Sequence, residues 1–229
     1  MKKIVVFTGA GISAESGIST FRDANGLWEN HDIQDVASID GWHANPELVL
    51  RFYNARRRQL HEVGPNAAHL ALAELESQYE VHIVTQNVDD LHERAGSSKV
   101  LHLHGELLKA RSSVDPDWTV HWPGDIVLGD RCAHGQQLRP HIVWFGEAVP
   151  LMGQAAQLAA EADIFLVVGT SLQVYPAANL LHFVRSGTPM FFVDPRPASG
   201  PETRRMSVLA EKASVGVPLL VKELLETAL

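Results

Sequence analysis

Cysteine is nearly absent from this chain: Cys132 stands alone in 229 residues. One thiol excludes an internal disulfide and suits a reducing compartment, so a cytoplasmic location is expected. Long apolar runs are missing as well. Lys2 and Lys3 precede only four strongly apolar residues, Ile4 to Phe7, before Thr8 and Gly9. A secretory signal needs roughly 7–15 such residues and a membrane span about 20, so neither is expected. Positive charge is in deficit: 19 Lys and Arg against 27 Asp and Glu give a formal net charge of −8. No broad cationic face is left for nucleic acid or anionic lipid, and no nucleic-acid or membrane partner is expected. The basic cluster Arg56-Arg57-Arg58 is short and local. Internal repeats and low-complexity segments are lacking too. What remains is 45% hydrophobic, enough for one large domain or a large domain with a small insert.

The apolar run Ile4–Phe7 reads as a buried parallel strand. It leads into Thr8-Gly9-Ala10-Gly11-Ile12-Ser13-Ala14-Glu15-Ser16-Gly17-Ile18. A glycine-rich turn at that place lets backbone approach a pyrophosphate, and a following helix would offer its free N–H groups. Gly9, Gly11 and Ala14 fit the dinucleotide pattern with alanine at its third place. A plain strand-to-helix connection gives the same signal, so the turn alone does not decide. A hydride dehydrogenase would carry an acid about 20 positions on, at the end of a second strand. No strand precedes Asp23, so the fold type is supported and hydride chemistry is not.

Further buried strands are readable at Val81–Thr85, Val100–Leu103, Ile142–Phe145, Ile164–Val168 and Met190–Val193. Helices are expected after Pro65-Asn66, after Pro150, from Pro176 to Gly187, and from Pro218, because proline suits a helix start and glycine its end. Alternating strands and helices predict an α/β fold: a Rossmann-like, doubly wound parallel sheet. Two segments break the alternation. Residues 27–64 hold a helix but no clear strand, and residues 108–138 are polar and without period. The domain reading is a Rossmann-like domain of residues 1–26, 65–107 and 139–229, with a small lobe of 27–64 and 108–138. A ligand would lie between them, at the carboxyl ends of the strands.

Those strand ends deliver Gln86-Asn87-Val88-Asp89, His104-Gly105, Gly146-Glu147, Gly169-Thr170-Ser171 and Asp194 to one rim. His104 is the general-base candidate, since an imidazole accepts a proton at neutral pH. A hydrogen-bonded edge histidine is the plainer reading, and it is assigned to His69, His82 and His102. His102 and His104 share a strand face; as a His-x-His metal pair they lack a third ligand nearby.

Six blocks together resemble the sirtuins, NAD-dependent protein lysine deacylases. They are the Gly9–Ile18 run, Thr20-Phe21-Arg22, Gln86–Asp89, His104-Gly105, Arg139–Glu147 and Gly169–Ser171, in the family's order over nearly the whole chain. The resemblance implies that the acyl oxygen of a modified lysine attacks the nicotinamide ribose of NAD, yielding nicotinamide, 2′-O-acyl-ADP-ribose and free lysine. His104 would take a proton from a ribose hydroxyl. Asn87 and Asp89 would lie near the nicotinamide amide and position ribose or water, and Gln86 would bond a ribose hydroxyl. Gly9, Ala10, Gly11, Ser13, Thr20, Phe21, Arg22 and Trp28 would line the cofactor turn and its loop. Gly169, Thr170 and Ser171 would reach the phosphates and adenosine side, and Ala213 the adenine. Asp194 stands where the family usually has asparagine. Its carboxylate would accept ribose hydroxyls and repel a 2′-phosphate; alternatively it is a turn residue before Pro195.

On a helix opened by Asn45-Pro46, Val49, Tyr53 and Arg56 fall on one face. Tyr53-x-x-Arg56 resembles the class III sirtuins, whose tyrosine and arginine hold the carboxylate of succinyl- or malonyl-lysine, a task suited to a guanidinium fork. A packed tyrosine beside a surface arginine is the alternative. The Val143-x-Phe145-Gly146-Glu147 edge and the edge containing Val174 resemble the strands that hold the substrate peptide, so acylated lysines of proteins or peptides are the expected partners. Most sirtuins carry two Cys-x-x-Cys pairs; here Ser112 begins the first and Cys132-x-x-Gly135 replaces the second. Cys132 with His121, His134 or Asp130 lacks regular spacing, so no structural zinc is expected. Packing through Trp118, Trp122 and Val127 would hold the lobe instead. Other uses of the same residues are an NAD sensor without turnover and ADP-ribosyl transfer.

Overall fold

A strand that is apolar at every position has to be covered on both sides, and this requirement shapes the molecule. The computed structural model describes residues 1–18, 27–28, 31–201 and 203–227. Along the chain run β1 (Lys3–Thr8), β2 (Leu27–Trp28), β3 (His31–Asp32), α1 (Ile33–Val36), α2 (Ile39–Ala44), α3 (Pro46–Glu62), α4 (Ala67–Glu74), β4 (Glu80–Thr85), α5 (Leu91–Ala95), β5 (Val100–His102), β6 (Gly105–Ser112), β7 (Thr119–His121), β8 (Leu138–Ile142), α6 (Met152–Glu161), β9 (Ile164–Val168), β10 (Met190–Val193), β11 (Ser207–Leu209) and α7 (Ala213–Thr227).

In β1 successive side chains face opposite ways. Ile4 and Val6, with Ile83, Leu166 and Val168, pack under α4 and α7. Val5 and Phe7, with Val84, Phe165 and Val167, pack under α6 and the 3₁₀ segment Ala177–Phe183. The strands are parallel in the order β11-β10-β9-β1-β4-β5. Counted along the chain this is the doubly wound order 3-2-1-4-5-6, whose switch point lies between β1 and β9.

A smaller lobe joins α1–α3 to the antiparallel sheet β7-β6-β8. Val49, Phe52, Tyr53 and Leu60 of α3 pack there against Leu107, Ala110, Ile126, Leu138, Ile142 and Trp144. Asn45 starts α3 as its side chain accepts the Leu48 N–H at 3.0 Å, with Pro46 in the first helical turn.

Five expectations change. The strand expected at Ile142–Phe145 lies earlier, at Leu138–Ile142, and is antiparallel to β6; it is an edge strand, which is why Pro140 can sit in it. Residues 108–138 are not without structure, since β6 and β7 form a ladder there. β6 and β8 also run across the expected limits at 107/108 and 138/139. The segment after Pro176 is 3₁₀, not α. The last helix begins at Ala213, with Pro218 inside it, at the loss of one intrahelical bond.

Candidate active site

The turns that follow β1 and β9 meet backbone to backbone. Gly9 N–H donates to the Val168 carbonyl at 3.0 Å and Gly11 N–H to the Gly169 carbonyl at 2.8 Å. A Cβ on Gly11 would lie 2.7 Å from Gly169 Cα, and one on Gly169, at φ 61°, would overlap the Ile12 amide. The glycine pattern predicts a phosphate close to the backbone; the close approach seen here is that of the Gly169 turn. Ala10–Ile12 and Ala14–Ser16 are 3₁₀ turns, so short turns stand where a helix is expected after β1. Leu172 has φ 57°, a rare conformation for a side-chain-bearing residue, with its N–H 3.3 Å from Thr170 Oγ1.

The loop after β4 is the best-anchored part of the rim. Asn87 N–H donates to Thr85 Oγ1 at 3.0 Å and its Nδ2 to Ser13 Oγ at 3.1 Å. Ser13 Oγ donates to Asp89 Oδ2 at 3.0 Å, and Leu91 N–H to Asp89 Oδ1 at 3.2 Å. Gln86 Nε2 donates to Thr170 Oγ1 at 3.0 Å, tying this loop to the β9 turn. Burial pushes the Asp89 carboxyl up to about 6, against the pull of Leu91, Ser13 and His102.

His104 follows β5. Its Nδ1 lies 3.1 Å from the Gln86 carbonyl. A carbonyl only accepts, so Nδ1 carries the hydrogen and Nε2 keeps a lone pair. Burial lowers its pKa below the ordinary histidine value, partly opposed by the Gln86 carbonyl. A neutral ring with an available Nε2 is the state a general base needs. Gly105, at φ 84°, lets the chain turn directly afterwards, where a Cβ would overlap the His141 carbonyl.

A buried chain that the sequence reading missed lies beneath. Thr8 Oγ1 donates to Thr85 Oγ1 at 2.8 Å and sits 3.1 Å from His92 Nε2. The His92 ring packs 4.9 Å from that of His69, whose Nδ1 accepts the Asn66 N–H in a capping box. Burial holds both histidines low, His69 at about 4. These residues lie far apart in sequence, in elements that read simply as core.

Val143 N–H donates to the His104 carbonyl at 2.9 Å, which sets the 143–147 segment beside the base. This edge is not fully open. Phe145 N–H donates to Ala37 O and its carbonyl accepts from Ile39 N–H. The Glu147 carboxylate accepts from Arg111, from Arg139 through two nitrogens, and from the Trp144 N–H, with Arg139 stacked 3.4 Å from the Trp144 ring. Glu147 is thus an internal clip, and with its N–H donating to the Trp144 carbonyl at 3.0 Å only its own carbonyl remains for contact with a substrate strand. Across the rim the Val174 carbonyl accepts from Ala178 N–H.

Tyr53 is 1% exposed, and its oxygen accepts from Trp144 Nε1 at 2.9 Å. Indole nitrogen only donates, so the phenolic proton points elsewhere. Arg56, its guanidinium 5.2 Å from the Phe52 ring, lines a cavity of about 40 Å³ with Ile18, Gln59, Leu60, Val88, Asp89 and Leu107. The α3 arginine and the β4-loop carboxylate therefore share one small enclosure. Asp194, 2% exposed at the end of β10, accepts the Arg196 N–H at 2.8 Å, the turn arrangement considered for it. Ser171 directly follows Thr170, and buried Ala213 opens α7. Thr20, Phe21, Arg22 and the Trp28 side chain lie outside the described residues.

The positions weighed for structural zinc are engaged in other ways. Ser112 Oγ donates to Gln136 Oε1 at 2.7 Å and receives the Val114 and Asp115 N–H groups. Gly135 offers no side chain, and among the described residues no three His, Cys, Asp or Glu converge. Trp118 and Trp122 pack on the lobe core, whereas Val127 is 54% exposed and its neighbour Ile126 is buried instead.

A model of the Sir2 family matches residues 9–176. A protein of Helicobacter pylori (strain ATCC 700392 / 26695) named NAD-dependent protein deacylase is 54% identical over 228 residues, covering 100% of both chains. Among solved structures, a mutant Sir2 homologue in complex with ADP-ribose superposes with a TM-score of 0.90 at 36% identity, over 99% of this chain and 93% of that one. A Sir2 homologue in complex with NAD superposes with a TM-score of 0.89 at 36% identity, over 98% and 90%.

Proposed function

The chain belongs to the Sir2 family, and from that premise we propose that it is an NAD-dependent deacylase of protein lysines whose acyl pocket accepts acidic acyl groups. The observation that carries the reaction is the pairing of a neutral His104, its Nε2 available, with the Ser13–Asn87–Asp89 network at the same rim. The residues present fit a dinucleotide, because the Gly9 and Gly169 turns flank the switch point. Bound NAD would supply the ribose carbon from which nicotinamide departs as the acyl oxygen takes its place, and the hydroxyl that receives the acyl group, with one water consumed as the lysine amine is freed. His104 Nε2 takes the proton of that hydroxyl. Asn87 and Asp89 orient the amide and ribose, and Gln86 and Thr170 hold the sugar side. The backbone groups left unbonded along the 143–147 and 172–174 edges would receive the peptide, which favours broad target choice.

The acidic-acyl reading rests on Arg56, which lines the enclosure that Asp89 also lines. A carboxylate bound to that guanidinium would set its acyl carbonyl toward the Asn87–Asp89 loop. Tyr53, one helical turn before Arg56, is buried with its oxygen accepting from Trp144 Nε1 and is not part of the cavity lining.

Nicotinamide release tests both parts. With succinyl-lysine peptide the wild type releases nicotinamide, and His104→Tyr loses about 10²-fold or more of that rate. Arg56→Met lowers use of the succinyl peptide about tenfold or more, and of the acetyl peptide less than about threefold. Equal losses would remove the acidic-acyl assignment. Bound NAD without release would reduce the protein to a sensor, and release independent of acylated peptide would point to ADP-ribosyl transfer.

A further inference from the structure

His102 ends β5 and is 8% exposed. Its Nδ1 lies 2.9 Å from the Asn87 carbonyl and its Nε2 lies 2.8 Å from Glu93 Oε1. A carbonyl and a carboxylate both only accept, so both ring nitrogens must carry hydrogen and the ring is an imidazolium. Either neutral tautomer would set a lone pair against an oxygen under 3 Å away. His104, two residues on, meets one acceptor, the Gln86 carbonyl. Two rings two residues apart, one ending β5 and one in the turn after it, thus hold two successive carbonyls of one loop, the first cationic and the second neutral.

We propose that His102 is a positioning residue: clamped on Glu93 as a cation, it fixes the Asn87 carbonyl and so the Gln86–Asp89 loop. This rests on the deacylase reading, in which that loop orients amide and ribose. The groups facing His102 are acidic apart from Lys109 and His92. Glu93 on α5 pairs with it, Asp89 lies in the loop it holds, and Glu106 on β6 adds a negative charge, itself paired with Lys109 at 2.6 Å. The neighbouring imidazole, His92 on α5, is held neutral by burial. Burial opposes the charge on His102, and Glu93, the Asn87 carbonyl and Glu106 outweigh it, so its pKa is raised; Glu93 is lowered in turn. The same cation eases ionisation of Asp89.

Ring-nitrogen NMR of the full chain reads the charge without turnover. His102 is expected to show two protonated nitrogens at neutral pH, while His104 shows one. Glu93→Gln keeps an acceptor and removes the charge. It is expected to lower kcat/KM about threefold near pH 6.5 and about thirtyfold near pH 8.5, because the alkaline limb moves down in pH. His102→Gln can donate along only one of the two directions and is expected to lower kcat about tenfold with KM for NAD changed less than about threefold. A neutral His102 ring at neutral pH, or a Glu93→Gln profile that overlays the wild type, would overturn the proposal. Wild-type turnover without such a ring state would leave the deacylase reading standing.

Discussion

Asp89 is held in a place that disfavours its charge. Burial raises its carboxyl from the ordinary 3.8 to about 6. Since the folded-state value lies above the unfolded one, ionisation opposes folding. The penalty is absent below the unfolded value, grows between the two, and is complete above about pH 6. At about 1.4 kcal/mol per unit this is about 2–3 kcal/mol at neutral pH. Asp89→Asn is therefore expected to melt several degrees above the wild type at about pH 7.5, the gap closing toward about pH 4, while deacylation falls about tenfold or more. Thermal unfolding at both pH values with a parallel rate assay checks it; an Asn variant less stable at neutral pH would contradict the sign. At this scale the sequence is partly legible. His104 stands out because strand ends meet ligands, but His102 reads as core because its partner Glu93 lies nine residues earlier on another element. Nothing local distinguishes the two rings; only their acceptors do.

Between elements, the decisive contact joins the turns of β1 and β9. Gly169 combines φ 61° with a neighbouring amide where a Cβ would sit, so Gly169→Ala strains the backbone and drives the two turns apart. A loss of about 2–4 kcal/mol is expected, lowering the melting temperature by roughly 5–15 °C and weakening NAD-dependent stabilisation. Denaturant unfolding with and without NAD measures both; an alanine variant equal to the wild type would show that the turns can separate freely. The buried strands of the large sheet are legible because each is apolar on both faces. β7 is not, with an exposed–intermediate–exposed Thr119–His121, and β8 hides behind Arg139 and Pro140. Pro218 suggests a helix start; packing of Val217, Leu220 and Leu224 on the sheet carries α7 through it.

At the scale of the molecule, two lobes of unequal construction meet over the rim. The large one is held by a two-sided core, and the small one by a single core plus hydrogen bonds that span its loops. Asn54 binds Ile126 through both its N–H and its carbonyl, and Ser112 joins the end of β6 to Gln136. Ser112→Ala would leave the Val114 and Asp115 N–H groups without that acceptor. It is expected to cost about 1–3 kcal/mol, while a chelator leaves the melting curve of the wild type unchanged. Metal analysis showing one zinc per chain, or melting shifted by chelator, would reverse that account of the lobe. By itself the sequence determined the α/β class, the strands buried on two faces, and the rim residues Gln86, Asn87, Asp89, His104 and Thr170. These follow from local pattern, since a strand's burial and its end are written within a few residues. Tertiary structure alone decided which ring meets two acceptors, that Glu147 is an internal clip, that Gly11 answers to Gly169, and that Arg56 and Asp89 share a cavity. Each of these depends on an acceptor or neighbour brought in from another part of the chain.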